Sequence, residues 1–420
     1  MDEKNHNLRK ELSLFDLIML GLGCIIGAGI FVIMGKTINI GGKYVFLGFL
    51  IVGIISLIMG LVYVECYSRY KSGITEFLAV KDSLGEKMGK ISQYFVYFYA
   101  IFTSITVIVA ITKYTGFFRG NYFKEVGFSV MILLVIMFIN LSGIKISKSI
   151  CVFIGIMLIT IFSGIIFMGS RKINFKKILS GPDISWKAFL LSTILALYLF
   201  NGYDVIVKMS PEARDDQDAK KAIVWSVCLT SFFYVMIILI LISILGYVTI
   251  KKTYVPLSKV YEFLLNKGIA VIVFWVGVIV LFNTALMKLI GASRFMYGLG
   301  INGEIVYSNF FSKLNGNQVP INAIIITFVI SVLCAMINNE VVLAVITNFS
   351  VMFNLIVMSL SLLVLRWNDR NNEKEKLEHN YIRGNINNIP VLVVLALITL
   401  IYFMFTVLKN KFWIGSKMIQ

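Results

Sequence analysis

Chemistry inside a protein needs groups that ionise, ligate or attack, and this sequence places few of them in its apolar stretches. Its two histidines, His6 and His379, stand in an N-terminal tail and a late charged segment. Imidazole acid–base chemistry and the commonest metal ligand are therefore missing from the apolar runs. Five cysteines (Cys24, Cys66, Cys151, Cys228 and Cys334) are scattered singly, odd in number and without CxxC spacing. They read as small buried core residues, not as a disulfide or metal framework. What remains is sparse: Glu65, Asp204 and Lys288 interrupt apolar runs, with Arg69, Lys208 and Arg294 close by. An ionisable side chain in such a run is expensive to bury and is a functional-site hypothesis by default. Asp204 has two readings, a structural partner for Lys208 one turn along or a titrating group lining a pathway. Lys288 also has two, snorkelling to the membrane interface or a fixed ammonium deep in the bundle. Glu65 and Arg69, four apart, are expected to form an ion pair or a gate contact. Asn283 joins Asp204, Lys288 and Glu65 as a coupling or gating candidate.

The elements that must position these groups follow from composition. Of 420 residues, 58% are hydrophobic and 15% charged, against about 25% charged in soluble domains. Charge-free runs about as long as the ~20 residues a helix needs to cross a bilayer recur along the chain. They predict an all-α polytopic membrane protein with spans near 13–34, 44–66, 90–112, 126–143, 149–169, 186–206, 222–248, 268–291, 318–338, 341–366 and 388–408. The net charge of +17 comes without a continuous basic block or an aromatic RNA motif, so the expected environment is a lipid bilayer and not nucleic acid. The first run follows Lys4, Arg9 and Lys10 but no A-x-A site, and is expected to be retained as a span. Arg171, Lys172, Lys176, Lys177 and Lys187 weaken the positive-inside bias for a cytoplasmic N-terminus. The stretch Thr75-Glu76-Phe77-Leu78 is expected to form an interfacial helix.

Two spans are built unlike the rest. The string Gly21-Leu-Gly-Cys-Ile-Ile-Gly-Ala-Gly-Ile-Phe31 carries four glycines at mid-span. Glycine eases departure from helical geometry, and non-helical backbone in a membrane is tolerated only where it lines a cavity or is buried in protein. The same small residues also let helices pack closely, and Gly23 and Gly27 have the Gly-xxx-Gly spacing. The second unusual span places Asn201, Gly202 and Asp204 within four positions. The two spans are the first and the sixth, heading halves of five helices each (13–169 and 186–366). This is the placement of an inverted repeat with paired discontinuous helices at the midplane. Half-helix N-termini suit a carboxylate, and freed carbonyls suit an ammonium, so a zwitterion fits both.

These residues resemble the amino acid-polyamine-organocation permease family. Gly23-Cys-Ile-Ile-Gly-Ala-Gly-Ile-Phe31 looks like its first-helix signature, and the stretch from Gly60 through Glu65 and Arg69 to Gly73 is similar to the end of its second helix. Phe200-Asn-Gly-Tyr-Asp204 with Glu212 resembles the sixth helix, and Gly291-Ala-Ser-Arg294 through Val319-Pro320 the eighth helix to the ninth. The resemblance implies a five-plus-five inverted-repeat (LeuT-like) bundle with discontinuous helices 1 and 6, a cytoplasmic N-terminus and alternating access. It also implies an amino acid or amine substrate. Carried over by position, the backbone at Ile26, Gly27, Ala28, Gly29 and Ile30 holds the carboxylate, and Phe200, Asn201 and Gly202 help hold the amine. Tyr198 stands where some members have an aromatic gate, Asp204 where several have a carboxylate implicated in proton linkage. The family's Asn-Pro is Asp215-Asp216 here, its Pro near the end of the second helix is Lys71, and eleven spans are expected where members often have twelve. The fifth span has no charge, so the lysine that stands in for sodium in some members has no counterpart there; separately, the second reading of Lys288 has its ammonium occupy or border the cation position between helices one and eight and titrate with the transport cycle.

Around the two repeats, the expectation is a cytoplasmic tail (1–12), a cytoplasmic loop (367–387) and an added helix (388–408). The function that follows is secondary amino acid transport across the plasma membrane by proton-coupled symport or exchange, with no cofactor. The alternative is a non-transporting amino-acid-sensing receptor subunit of the same fold. An enzyme is not expected, because no paired catalytic constellation is present.

Overall fold

A computed structural model describes residues 8, 10–28, 30, 34–118, 120–253, 255–371, 382, 385, 386 and 388–409; His6, Gly29 and His379 lie outside them. Apolar runs become helices here because a helix satisfies its own backbone polar groups where water is absent. Eight helical stretches among the described residues are long and apolar enough to cross a membrane: Met34–Tyr70, Glu86–Thr115, Tyr122–Leu141, Ile144–Lys172, Trp186–Glu212, Asp216–Lys252, Lys267–Ile301 and Val342–Asn368. Three shorter apolar helices, Leu14–Gly27, Ile321–Ala335 and Val391–Val407, stand at the first, ninth and last expected positions.

In chain order the helices are α1 (Leu14–Ala28), α2 (Met34–Gly41), α3 (Val45–Tyr70), α4 (Thr75–Leu84), α5 (Glu86–Thr115) and α6 (Tyr122–Leu141). They continue with α7 (Ile144–Gly169), α8 (Phe175–Leu179), α9 (Trp186–Leu199), α10 (Asp204–Met209), α11 (Asp216–Lys252) and α12 (Pro256–Leu264). The last five are α13 (Lys267–Ile301), α14 (Ser308–Phe311), α15 (Ile321–Ala335), α16 (Glu340–Asn368) and α17 (Val391–Lys409). A two-residue hairpin pairs Asn385–Ile386 with Ile389–Pro390 just before α17. Helix α1 is enclosed by α11, α13 and α7, while α5 packs along both α13 and α16.

Local chemistry sets several helix ends. Asp215, where the family has Asn, caps α11 by accepting from the Gln217 N–H at 3.0 Å. Lys71, where the family has Pro, closes α3 in a left-handed conformation with φ of 45°, which a proline ring forbids. The two departures from the family pattern face each other, the Lys71 ammonium lying 3.9 Å from Asp216. Inside α11, Gly246 breaks helical geometry at φ 71°, and Lys177 after α7 donates to the carbonyls freed there, Ser243 O at 2.7 Å and Ile244 O at 3.3 Å.

The expected interfacial helix is present as α4, but its Thr75, Glu76, Phe77, Ala79 and Val80 are buried against α5 and α16. It is part of the bundle's packing and not a helix lying on a surface, because the groups that face Glu76 come from its neighbours.

Candidate functional site

The sixth span is interrupted. Helix α9 stops at Leu199, Phe200 to Tyr203 form turns, and α10 resumes at Asp204. Gly202 sits against the backbone of α1: a Cβ there would lie 2.8 Å from Ile25 N and 2.9 Å from Ile25 Cα. Only a residue without a side chain permits that approach. The opposite face of α1 meets α13 in the same way. A Cβ on Gly27 would lie 1.4 Å from Thr284 Oγ1, and one on Gly23 would lie 2.3 Å from Asn283 Nδ2. Thr284 then donates its hydroxyl to Gly23 O at 3.0 Å.

This packing corrects one expectation. Ile26, Gly27 and Ala28 are helical, so Gly27 does not itself break the helix. The glycine face is taken up by α13, which keeps the helix intact up to Ala28. Gly29 lies outside the described residues, and Ile30 is buried. The end of a helix leaves its last carbonyls without intrahelical partners. The Tyr234 hydroxyl of α11 stands between α1 and the end of α9, within hydrogen-bond reach of Ile25 O at 3.2 Å and of Leu199 O at 3.0 Å. Its ring stands edge-on to Phe200, centroids 5.0 Å apart. Around this junction the Tyr198 hydroxyl, the Asn201 amide nitrogen and both polar atoms of Asn283 have no hydrogen-bond partner among the described residues. A buried polar group without a partner costs about 1–3 kcal/mol, so each of these marks a place where a ligand or water completes the bonding.

Beyond the break, α10 carries a buried cluster of four charges. The Asp204 carboxylate receives Lys208 Nζ at 2.6 Å and Lys288 Nζ of α13 at 2.9 Å. Lys208 also lies 3.2 Å from Glu76 Oε2 of α4. Tyr99 of α5 accepts from both ammonium groups at 3.4 Å. The other Glu76 oxygen, Oε1, accepts from Tyr63 of α3 at 2.7 Å and from Asn354 of α16 at 2.8 Å. Two ammonium and two carboxylate groups, each at most 2% exposed, sum to no net charge, which is what makes burial of four ions tolerable.

The geometry settles several alternatives. Lys288 does not snorkel, since its side chain is fully buried. It stands one turn beyond Thr284 on the same face of α13, the face that meets α1. Lys208 is the partner of Asp204, but a shared one. Glu65 does not pair with Arg69; it pairs with Arg366 of α16, and Arg69 reaches Asp369 at 2.5 Å. The ends of α3 and α16 run side by side, so successive turns of the two helices pair across, not along, each chain. A further buried link joins Arg294 to Glu212 at 3.3 Å and to Asn140 of α6 at 2.6 Å. Sequence reasoning missed Glu76, Tyr63, Tyr99 and Asn354 as members of the cluster. The one signal was a carboxylate within an otherwise apolar turn of the segment after α3. No group of three or more His, Cys, Asp or Glu among the described residues is placed to hold a metal.

Comparison with known proteins agrees with this architecture. The sequence profile of the amino acid permease family matches residues 12–419. A branched-chain amino acid permease of Bacillus subtilis is 23% identical over 322 residues, 71% of this chain and 69% of that protein. A methylthioribose transporter of the same organism is 24% identical over 391 residues, 86% of this chain and 82% of its own length. A D-serine/D-alanine/glycine transporter of Escherichia coli is 22% identical over 336 residues, 75% of this chain and 70% of the relative. These relatives are transporters and not enzymes, and a multi-pass helical chain whose interrupted span abuts the backbone of α1 at Ile25 belongs, by its match along nearly its whole length, to the amino acid permease family of the amino acid-polyamine-organocation superfamily.

Proposed function

We propose that this chain is a secondary active transporter that carries an amino acid across the plasma membrane by alternating access, with protons as the coupling ion. The observation that carries this reading is the junction of α1 with the turn at Phe200–Tyr203, where carbonyls of α1 and α9 meet at Tyr234 and where the Tyr198 hydroxyl and Asn201 amide nitrogen lack partners among the described residues. In this reading the carbonyl ends of α1 and α9, joined by Tyr234, attract the substrate ammonium, with Phe200, Asn201 and Gly202 beside it. The carboxylate lies against the backbone from Ile26 through Gly29 and Ile30, at the end of α1 and beyond. Tyr198 and Asn283 supply the free polar groups that complete the bonding.

The order of elements supports two repeats, 13–169 and 186–366. Each opens with a divided helix (α1 and α2; α9 and α10) and continues with a long helix (α3; α11). A short helix follows (α4; α12), and then three longer ones (α5, α6 and α7; α13, α15 and α16), with the four-residue α14 as an addition in the second half. A cytoplasmic N-terminus goes with this reading. Because the four cluster charges are mutually paired, the substrate we propose has a neutral side chain. Relatives named for branched-chain amino acids and for D-serine, D-alanine and glycine fit that class.

The test is thermal stabilisation of detergent-purified protein against the amino acids and their decarboxylated amines. A ligand at a hundred times its Kd stabilises by about 2.7 kcal/mol. Stabilisation by neutral amino acids, absent with the matching amines, is expected. Folded protein that responds to none of them would remove the amino acid assignment.

A further inference from the structure

The charge cluster holds one carboxylate that the substrate reading does not use. Glu76 lies on α4, outside the long spanning helices, yet its side chain is only 1% exposed. Its surroundings come from five helices. Tyr63 faces it from α3, Tyr99 from α5, Asp204 and Lys208 from α10, Lys288 from α13 behind Asp204, and the neutral Asn354 from α16. Its Oε1 is fully engaged by Tyr63 and Asn354. Its Oε2 has no directed hydrogen bond among the described residues, and its one ion-pair partner among them is the Lys208 ammonium, at 3.2 Å.

The two carboxylates of the cluster are therefore unequal. Protonating Asp204 would give up two ammonium contacts, at 2.6 and 2.9 Å. Protonating Glu76 gives up one, at 3.2 Å, and leaves both bonds to Oε1 in place. Coulomb attraction falls with distance and with the number of partners, so Glu76 is the carboxylate whose neutralisation disturbs the cluster least. The consequence is also local: Lys208 stays bound to Asp204 on its own short helix, while α10 loses its charged link to α4. That helix follows the non-helical turn at the junction, so what holds α10 bears on the substrate site.

We propose that Glu76 is the proton-binding group of the transport cycle, and that its ion pair with Lys208 is the latch between α10 and α4. In this step a proton from water adds to Oε2, the carboxylate becomes a neutral carboxyl and the cluster passes from zero to one positive charge. Return of the proton to water restores the pair. The inference rests on the transporter reading above.

Glu76→Gln tests it in proteoliposomes. For the wild type, uptake of the stabilising amino acid is several-fold greater with an inward proton gradient than without. For Glu76→Gln, that ratio falls to unity, while amino acid stabilisation and counterflow exchange at equal pH persist. Because Gln leaves Lys208 short of a counter-charge, Glu76→Gln/Lys208→Met, which removes both charges, is measured alongside and gives the same ratio. A wild-type ratio in either folded variant overturns the proposal. Loss of substrate stabilisation in both also overturns it, since Glu76 would then serve the binding site. Wild-type protein that takes up no amino acid overturns the transporter reading itself, and wild-type uptake indifferent to the gradient overturns proton coupling and the role of Glu76 while leaving amino acid transport standing.

Discussion

Lys288 and Tyr198 are opposite kinds of buried polar residue, and substitution separates them. Lys288 is fully buried and bonded to Asp204, so Lys288→Met leaves that carboxylate with Lys208 alone and destabilises the fold. Losing one partner of a buried pair costs about 3–5 kcal/mol. Lys288→Met/Asp204→Asn removes the stranded charge as well and is expected to recover part of that loss, measured by thermal unfolding in detergent. A double variant no more stable than Lys288→Met would show that the pair does not act as a unit. Tyr198 is buried with a hydroxyl that bonds nothing among the described residues. Tyr198→Phe therefore costs the empty protein no hydrogen bond and is expected to leave it as stable or more so, by up to about 1–3 kcal/mol, the cost of an unpaired buried hydroxyl, while amino acid affinity falls if the hydroxyl completes its bonding on the substrate. Unchanged affinity with unchanged stability would remove Tyr198 from the site.

At the scale of elements, the glycines of α1 and of the sixth span make two kinds of contact. Gly27 faces a side chain, Thr284, whereas Gly202 faces the backbone of Ile25. Gly27→Ala overpacks the α1–α13 contact and is expected to cost at least the 1–3 kcal/mol of an added methylene, with partial rescue by Thr284→Gly. Gly202→Ala has no such rescue, because no side-chain truncation moves backbone. Equal rescue of both would contradict the geometry. The stretches flanking these half-helices are joined as well: the Glu11 and Leu12 N–H groups donate to Glu212 O at 2.9 Å, and the Arg214 N–H donates to Leu12 O at 2.9 Å. The segment before α1 and the segment after α10 are thus one hydrogen-bonded unit. Spans of this kind were legible in the sequence because hydropathy and length are local properties. The end of α1 was not, since Gly27 remains helical through its contact with a residue 257 positions away (Thr284). Glu76 was not legible for the same reason: a short amphipathic turn reads alike whether it meets lipid headgroups or the buried flanks of α5 and α16. The i,i+4 spacing of Glu65 and Arg69 suggested a pair within α3, and only the neighbouring end of α16 explains why each has a different partner.

For the whole molecule, the central claim is that an amino acid crosses the membrane through this bundle and does not merely bind in it. The family match, the apolar spans and the interrupted span all accord with a transporter, and a receptor of the same fold would share every one of them. Binding measurements cannot separate the two, but flux can. The most direct test is counterflow in liposomes of purified protein, loaded with unlabelled amino acid and presented with a labelled trace of the same compound. The account predicts transient accumulation of label, abolished in liposomes without protein and increased when the outside is made more acidic. Protein that the amino acid stabilises but that moves no label under either condition would contradict transport and identify the chain as a sensor.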